Sequence, residues 1–249
     1  LFKKALSWRR RERCSGPSKI KNGEKMKKGW LVWLAVPALL LGCSQRNDYD
    51  TTTLDRTSLE MRAGDVQTVY VTSGNPDKVV WRSANEFVAT VDRGQIKALR
   101  IGSTRVWANS AAVAVTVKGR YDLYDEPMTG LRWGMTREEL VAKLGFPDGV
   151  VGNVLTYNME SATTSFLSYE FDADMRLTGA SVSVSKGFSD ELEAFLGERY
   201  LQITAEGRPD QQYIDALTVT DASVVVTRAS YDDLYWLVSY RDITSYAWQ

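Results

Sequence analysis

The chain has 249 residues, enough for one or two domains, and its 31 Lys/Arg balance its 31 Asp/Glu. Residues 1–42 hold eleven of those bases against only Glu12 and Glu24, so residues 43–249 carry 20 bases and 29 acids. A surface near −9 lacks the basic footprint that nucleic acid requires. His is absent and Cys occurs only at positions 14 and 43, which removes Ser-His-Asp and Cys-His catalysis, and His- or thiolate-held metals, from the domains that follow.

Residues 1–25 are basic, unpatterned and free of Met, and they precede a complete secretion signal. They read as upstream sequence translated through a misplaced start. Met26-Lys27-Lys28 is followed by the apolar run Trp30 to Leu41 and then Gly42-Cys43. A short basic segment, an apolar run too short to span a bilayer and a small residue before the cut describe a signal peptide over 26–42. Leu40-Leu41-Gly42-Cys43 resembles the lipobox of bacterial lipoproteins. The resemblance implies lipid on Cys43, cleavage before it, and a cell-envelope location facing the periplasm or the cell surface. Ser44 in place of Asp implies passage to the outer membrane. One acyl chain holds a protein only marginally, at about 0.8 kcal/mol per buried CH₂, whereas three anchor it stably.

Residues 43–53 read as a polar tether. From Leu54 to Val117 the pattern is short strands broken by Gly and polar clusters, with no helical period, which predicts an all-β sandwich. Leu59-Glu60-Met61, Val80-Trp81-Arg82-Ser83-Ala84-Asn85, Val88-Ala89-Thr90-Val91-Asp92 and Gly94-Gln95-Ile96-Lys97-Ala98 carry a further resemblance. In that order they resemble the bacterial immunoglobulin-like domains of the second group. That implies an Ig-like spacer domain over 54–117 with Trp81 in its core, in a family associated with adhesins and surface proteins.

Residues 118–127 read as a linker, and the period then changes. Thr136-Arg137-Glu138-Glu139 is a capping box, with Met135 and Leu140 placed for a hydrophobic staple. Leu140, Val141 and Leu144 share a helical face that Gly145 and Pro147 terminate. Strands are predicted at Val154–Met159, Phe166–Phe171 and Thr178–Val184. A second helix starts at Ser189, with Leu192, Phe195, Leu196 and Tyr200 on one face. Strands at Ala216–Thr220, Ser223–Ala229 and Leu234–Asp242 complete the chain. Residues 128–249 thus read as an α+β domain, helix–βββ–helix–βββ, with an antiparallel sheet and both helices on one face. The order suggests an internal duplication, with little residue identity between halves. Gly134-Met135-Thr136-Arg137-Glu138-Glu139-Leu140, with Leu144-Gly145-Phe146-Pro147, resembles the helix opening of small outer-membrane assembly lipoproteins. Those proteins continue into a β-hairpin, as Tyr157 and Tyr169-Glu170-Phe171 do here.

Carboxylate pairs are the remaining catalytic candidates, since a glycosidase needs two acids about 5–10 Å apart. Capping accounts for Glu139, a helix N-terminus for Asp190 and Glu191, and turns for Asp172/Asp174 and Asp232/Asp233. Aromatics crowd the C-terminus. In the last strand Leu234, Trp236, Val238 and Tyr240 face one way, and Tyr235, Leu237, Ser239 and Arg241 the other. Tyr235, Arg241, Tyr246 and Trp248 are the binding candidates, by stacking on sugar rings or on a protein partner.

Three functions compete: a non-catalytic envelope protein that binds a glycan or protein partner, an envelope-assembly or inhibitor-like lipoprotein using an open sheet face, and a carboxylate-dependent hydrolase. The missing His and Cys weigh against the third. No cofactor, metal or nucleic acid is expected, and the membrane is a partner through lipid on Cys43. Cys43→Ser should block processing and abolish incorporation of labelled palmitate; a Ser variant that still matures and sediments with membranes would contradict the anchor.

Overall fold

The structure is a computed structural model that describes residues 51–204 and 208–246. Residues 1–25, the signal, Cys43 and Trp248 lie outside the described residues. The fold is mostly β-sheet, in several mainly antiparallel sheets, with two short helices.

The first nine strands are β1 (Thr53–Leu54), β2 (Ser58–Arg62), β3 (Val66–Thr68), β4 (Val71–Ser73), β5 (Trp81–Ser83), β6 (Ala89–Asp92), β7 (Gln95–Ala98), β8 (Gly102–Ala108) and β9 (Ala111–Lys118). They form a four-stranded sheet ordered β2-β9-β8-β5, a three-stranded sheet β3-β7-β6 and the pair β1-β4. β2 and β9 run parallel and the other pairs antiparallel. Alternation puts Met61, Val106, Val113 and Val115 of one sheet into a single buried cluster with Ala89, Ile96 and Ala98 of the other.

Two expectations change in this region. The tether ends earlier than Thr53: Thr52 is already buried and its Oγ1 accepts a bond from Asn109 Nδ2 at 3.1 Å. Trp81 is only partly buried and packs at the border of the core, because β5 is the edge strand of its sheet.

Beyond them come α1 (Arg137–Leu144), β10 (Gly149–Val151), β11 (Val154–Asn158), β12 (Thr164–Phe171), β13 (Leu177–Ser185), α2 (Ser189–Gly197), β14 (Leu201–Gln202), β15 (Gln211–Ile214), β16 (Val224–Ser230) and β17 (Tyr235–Asp242). The eight strands make one antiparallel sheet ordered β10-β11-β12-β13-β17-β16-β15-β14. The capping box forms as expected: Thr136 Oγ1 accepts from Glu139 N at 3.2 Å, and Glu139 Oε2 from Thr136 N at 2.8 Å.

Each helix is followed by four strands, not three. β10 escaped notice because Val150 and Val151 are both exposed and show no alternation. Residues 216–220 are not a strand: Leu217 and Val219 are exposed, and Val219–Asp221 form a 3-10 turn. The strands there are β14 and β15, whose Gln211-Gln212-Tyr213-Ile214 lacks an apolar period. A short residue run recurs at the two helices. Glu139-Leu140-Val141-Ala142-Lys143-Leu144-Gly145 in α1 and Glu191-Leu192-Glu193-Ala194-Phe195-Leu196-Gly197 in α2 share E-L-x-A-x-L-G. The fourth strands of the two halves, β13 and β17, meet at the centre of the sheet.

Leu140 of α1 and Leu192, Phe195 and Leu196 of α2 share one buried cluster with Leu155, Tyr169, Ala180, Val182, Val184, Val226, Val238 and Tyr240. Those strand residues lie opposite one another in the register and so occupy one face of the sheet. Residues 119–127 are not a free linker. Tyr124 stacks on Phe195 with ring centroids 4.5 Å apart, its hydroxyl lies 2.8 Å from that of Tyr240, and Pro127 accepts a bond from Tyr169. Tyrosine has an apolar body that such a core accepts, and a polar tip that these hydroxyls and carbonyls satisfy.

The Glu198 carboxylate fastens this strap. It is almost wholly buried and accepts from Arg120 N at 2.8 Å, Tyr121 N at 3.0 Å and the Arg199 guanidinium at 2.8 Å. Its carbonyl also accepts from Ile101 N, tying the first region to the end of α2. Gly119 permits the approach, since a Cβ there would sit 2.8 Å from Glu198 Oε1. Glu198→Ala removes the buried acceptor that three part-buried donors share and should cost about 3 kcal/mol in a denaturant titration. A loss under about 1 kcal/mol would mean that water replaces the carboxylate.

Candidate functional site

With one face of the eight-stranded sheet sealed by the helices, interest passes to the other. β13 reads Ala180-Ser181-Val182-Ser183-Val184-Ser185, so each Val turned to the core leaves a Ser on the opposite face. The register aligns these with small polar residues of neighbouring strands. Thr156 lies opposite Ser168, Ser168 opposite Ser181, Ser181 opposite Ser239, Ser239 opposite Thr227, and Thr227 opposite Gln212. This row of hydroxyl and amide groups crosses six strands, about 24 Å at the usual spacing. All six residues are partly exposed. At its centre Ser181 Oγ and Ser239 Oγ are 3.0 Å apart.

The row has unlike borders. On one side Glu170, Gly179 and Arg241 lie opposite one another, and Arg241 Nη2 meets Glu170 Oε2 at 2.5 Å across the glycine. A Cβ on Gly179 would come within 3.2 Å of the guanidinium and 3.3 Å of the carboxylate. On the other side stand Leu237 and Ser183, paired in the register, and Tyr235 one step further along β17. Phe166, on the same face of β12, makes an edge contact with the exposed Tyr231 at 5.6 Å. Ser183 is fully buried and its Oγ has no hydrogen-bond partner.

The expected division of the last strand holds for Trp236, Val238 and Tyr240, which join the core, and for Tyr235, Leu237, Ser239 and Arg241, which take the open face, but not for Leu234, which precedes the strand and is exposed. The three binding candidates among the described residues do not form one patch. Tyr235 and Arg241 share a face but sit six residues apart, about 20 Å along the strand, and Arg241 is held by Glu170. Tyr246 is not exposed. It packs beside Ile214, Ala222 and Val225, and its hydroxyl accepts from Gln212 Nε2 at 2.6 Å, covering the far corner of the face. Trp248 lies outside the described residues. The hydroxyl row was missed because Ser and Thr carry no hydrophobic period, although the strict Val/Ser alternation of β13 was readable.

The carboxylates serve local structure. Asp172 Oδ1 accepts from the amides of Asp174 and Arg176, and Asp232 Oδ1 from those of Leu234 and Tyr235. Arg132 and the cap amide hold the Glu139 carboxyl below its ordinary value, the amide being the larger cause. Asp190 and Glu193 line a groove of about 640 Å³ with Arg100, Tyr200, Gln202 and Tyr213. Among the described residues no group of three or more His, Cys, Asp or Glu could hold a metal ion.

No protein-family model matches the sequence, and no curated protein matches it. Among solved structures, a DUF4309 family protein (YjgB) from Bacillus subtilis covers 43% of this chain and 78% of its own at 13% identity, with a TM-score of 0.28. The C-terminal domain of TagH covers 66% of this chain and 97% of its own at 13% identity, with a TM-score of 0.29. Similarities of this size define neither a fold nor a function.

Burial raises the phenols beneath the sheet: Tyr169 is pushed up to about 12, and Tyr124, Tyr200 and Tyr240 rise further. Below pH ~10 these groups are neutral whether folded or not. Above it only the unfolded chain ionises, so each tyrosine removes up to about 1.4 kcal/mol of stability per pH unit. The contribution of these tyrosines to stability should therefore be constant from neutral pH up to pH ~10 and fall steeply beyond it, with absorbance of the buried phenolates rising together with loss of structure. Ionisation of all tyrosines near pH ~10 in a chain that keeps its circular dichroism would contradict this burial.

Proposed function

We propose that the chain is a non-catalytic, lipid-anchored envelope protein that binds a partner through the open face of its eight-stranded sheet. Residues 54–117 act in this reading as an Ig-like spacer, and Cys43 carries the anchor at the outer membrane. The finer layout, an Ig-like sandwich followed by a duplicated helix-and-sheet domain, belongs to the same reading. The observation that carries it is the hydroxyl row: six polar side chains in register on one face of a sheet whose other face is closed. A face meant only for solvent carries charged, long side chains in no particular order. This one bears small neutral groups along a line, and its Glu170–Arg241 ion pair is internally neutralised. Among the described residues no helix is long and apolar enough to cross a membrane, so attachment in this reading falls to Cys43.

The test uses residues 43–249 with Cys43→Ser, so that lipid does not contribute, in co-sedimentation with isolated cell envelopes. Ser181→Arg/Ser239→Arg should abolish binding at unchanged circular dichroism, at least a tenfold loss. Asp190→Asn/Glu193→Gln, in the groove beside α2, should leave it intact. Binding that survives the double Arg variant would overturn the assignment of the face, and a hydrolytic activity lost in the acid variant would overturn the non-catalytic reading.

A further inference from the structure

The groove beside α2 lies on the helix side of the sheet, away from the hydroxyl row, since Tyr213 on its floor belongs to the core under the helices. One wall is a single face of α2, where Asp190, Glu193, Ala194 and Gly197 follow helical spacing. Ala194 and Gly197 leave that wall low, and a Cβ on Gly197 would meet nothing within 4 Å. The other wall is β14, an edge strand of the sheet. At about 640 Å³ the groove has the size of a small-ligand site.

Three features inside it call for three different groups. Arg100 comes from the first region and stands at the C-terminal end of α2, because Ile101 N donates to Glu198 O. Its half-buried guanidinium stacks on Phe87 at 4.7 Å and donates through Nη1 to Phe87 O at 3.3 Å. Burial pulls its pKa down, and among the described residues it has no carboxylate partner. A cation placed so is costly until an anion reaches it. Gln202 is the second feature. Ile203 N donates to Gln212 O across the β14–β15 pair, so Gln202, one residue earlier, turns its backbone N–H and C=O to the free edge. An extended peptide backbone matches that donor and acceptor. The third is Asp190 with Glu193, at the other end of the same helical face, about 10 Å from Gly197 at the usual helical rise. Glu193 has only a long ion pair, 3.8 Å to the buried Arg228, and Asp190 has none among the described residues. That end calls for a cation.

We infer that this groove, separate from the open face, binds a short extended peptide with a free C-terminal carboxylate and a basic side chain three residues before it. The carboxylate meets Arg100, the backbone pairs with Gln202, and the basic group lies against Asp190 and Glu193. Three extended residues span the same ~10 Å. The terminus falls at Arg100 because the first region stands across that end of α2, and Ala194 and Gly197 let the peptide lie close to the helix.

The full chain in detergent is titrated by calorimetry with the N-acetylated tetrapeptide Lys-Ala-Ala-Ala bearing a free carboxylate, with its C-terminal amide, and with the same peptide opening on Glu. The free acid should bind at least tenfold more tightly than either of the others. Arg100→Gln should weaken it about tenfold, since a carboxylate paired with Arg is among the stronger polar contacts. Asp190→Asn/Glu193→Gln should weaken it about fivefold and erase the preference for Lys over Glu. Gly197→Leu fills the groove without removing any bonding group, so it should weaken binding at least tenfold while the melting temperature holds or rises. That variant separates loss of the groove from loss of the fold. The inference is overturned if the free acid does not bind, if the amide or the Glu peptide binds as well, or if Gly197→Leu leaves the affinity unchanged.

Discussion

The pairing of β13 with β17 is the contact on which the C-terminal half depends. Seven registered residue pairs, from Gly179 opposite Arg241 to Ser185 opposite Tyr235, join two four-stranded units that would otherwise each expose an edge. On the helix side the pairing sets Val182 against Val238 and Ala180 against Tyr240, at the middle of the core. On the other side it sets Ser181 against Ser239, at the middle of the polar row. A slip of one residue would exchange the two faces, burying hydroxyls under the helices and exposing valines. One register therefore fixes both the stability of the domain and the character of its open surface.

Joining two helix-plus-four-strand halves lets a small unit use a sheet this wide. Each helix-plus-four-strand unit has too little apolar surface to close alone; joined at their fourth strands, the two halves share one core. The halves are not equal. The end of α2 is covered by residues 119–127 through Glu198, Tyr124 and Glu126, which accepts a bond from Tyr200. The matching end of α1 leaves Leu144 partly exposed and Phe146 almost fully so, at 92%. Leu192 and Leu196 of the shared run are both buried, whereas of their counterparts only Leu140 is.

Much of this was legible in the residues, and the rest was hidden for identifiable reasons. The capping box at Thr136, the turns at Asp172 and Asp232, and the facing of Trp236, Val238 and Tyr240 are local or periodic signals, and the structure reproduces them. β10 and β15 lack alternation because one is an exposed edge and the other mixes glutamine with buried residues. The strap at 119–127 looked polar because its tyrosines hide apolar bodies behind polar tips. Tyr246 looked free because Gln212, thirty-four residues earlier, gives no local hint of the bond between them. The hydroxyl row requires the pairing of six strands, which no single segment encodes, even though the Val/Ser alternation of β13 announces half of it.

For the proposed binding, the open face has to be accessible in the free protein and covered when the partner is bound. Cys14 and Cys43 are the chain's own thiols, and Cys14→Ser/Cys43→Ser removes both. Ser239→Cys in that variant then places a single thiol at the centre of the row. The decisive measurement is its alkylation rate, with and without isolated cell envelopes. Alkylation of the purified protein should be ready, and at least tenfold slower when envelopes saturate the face. A thiol that is inert in the free protein, or whose rate is the same in both conditions, would contradict it.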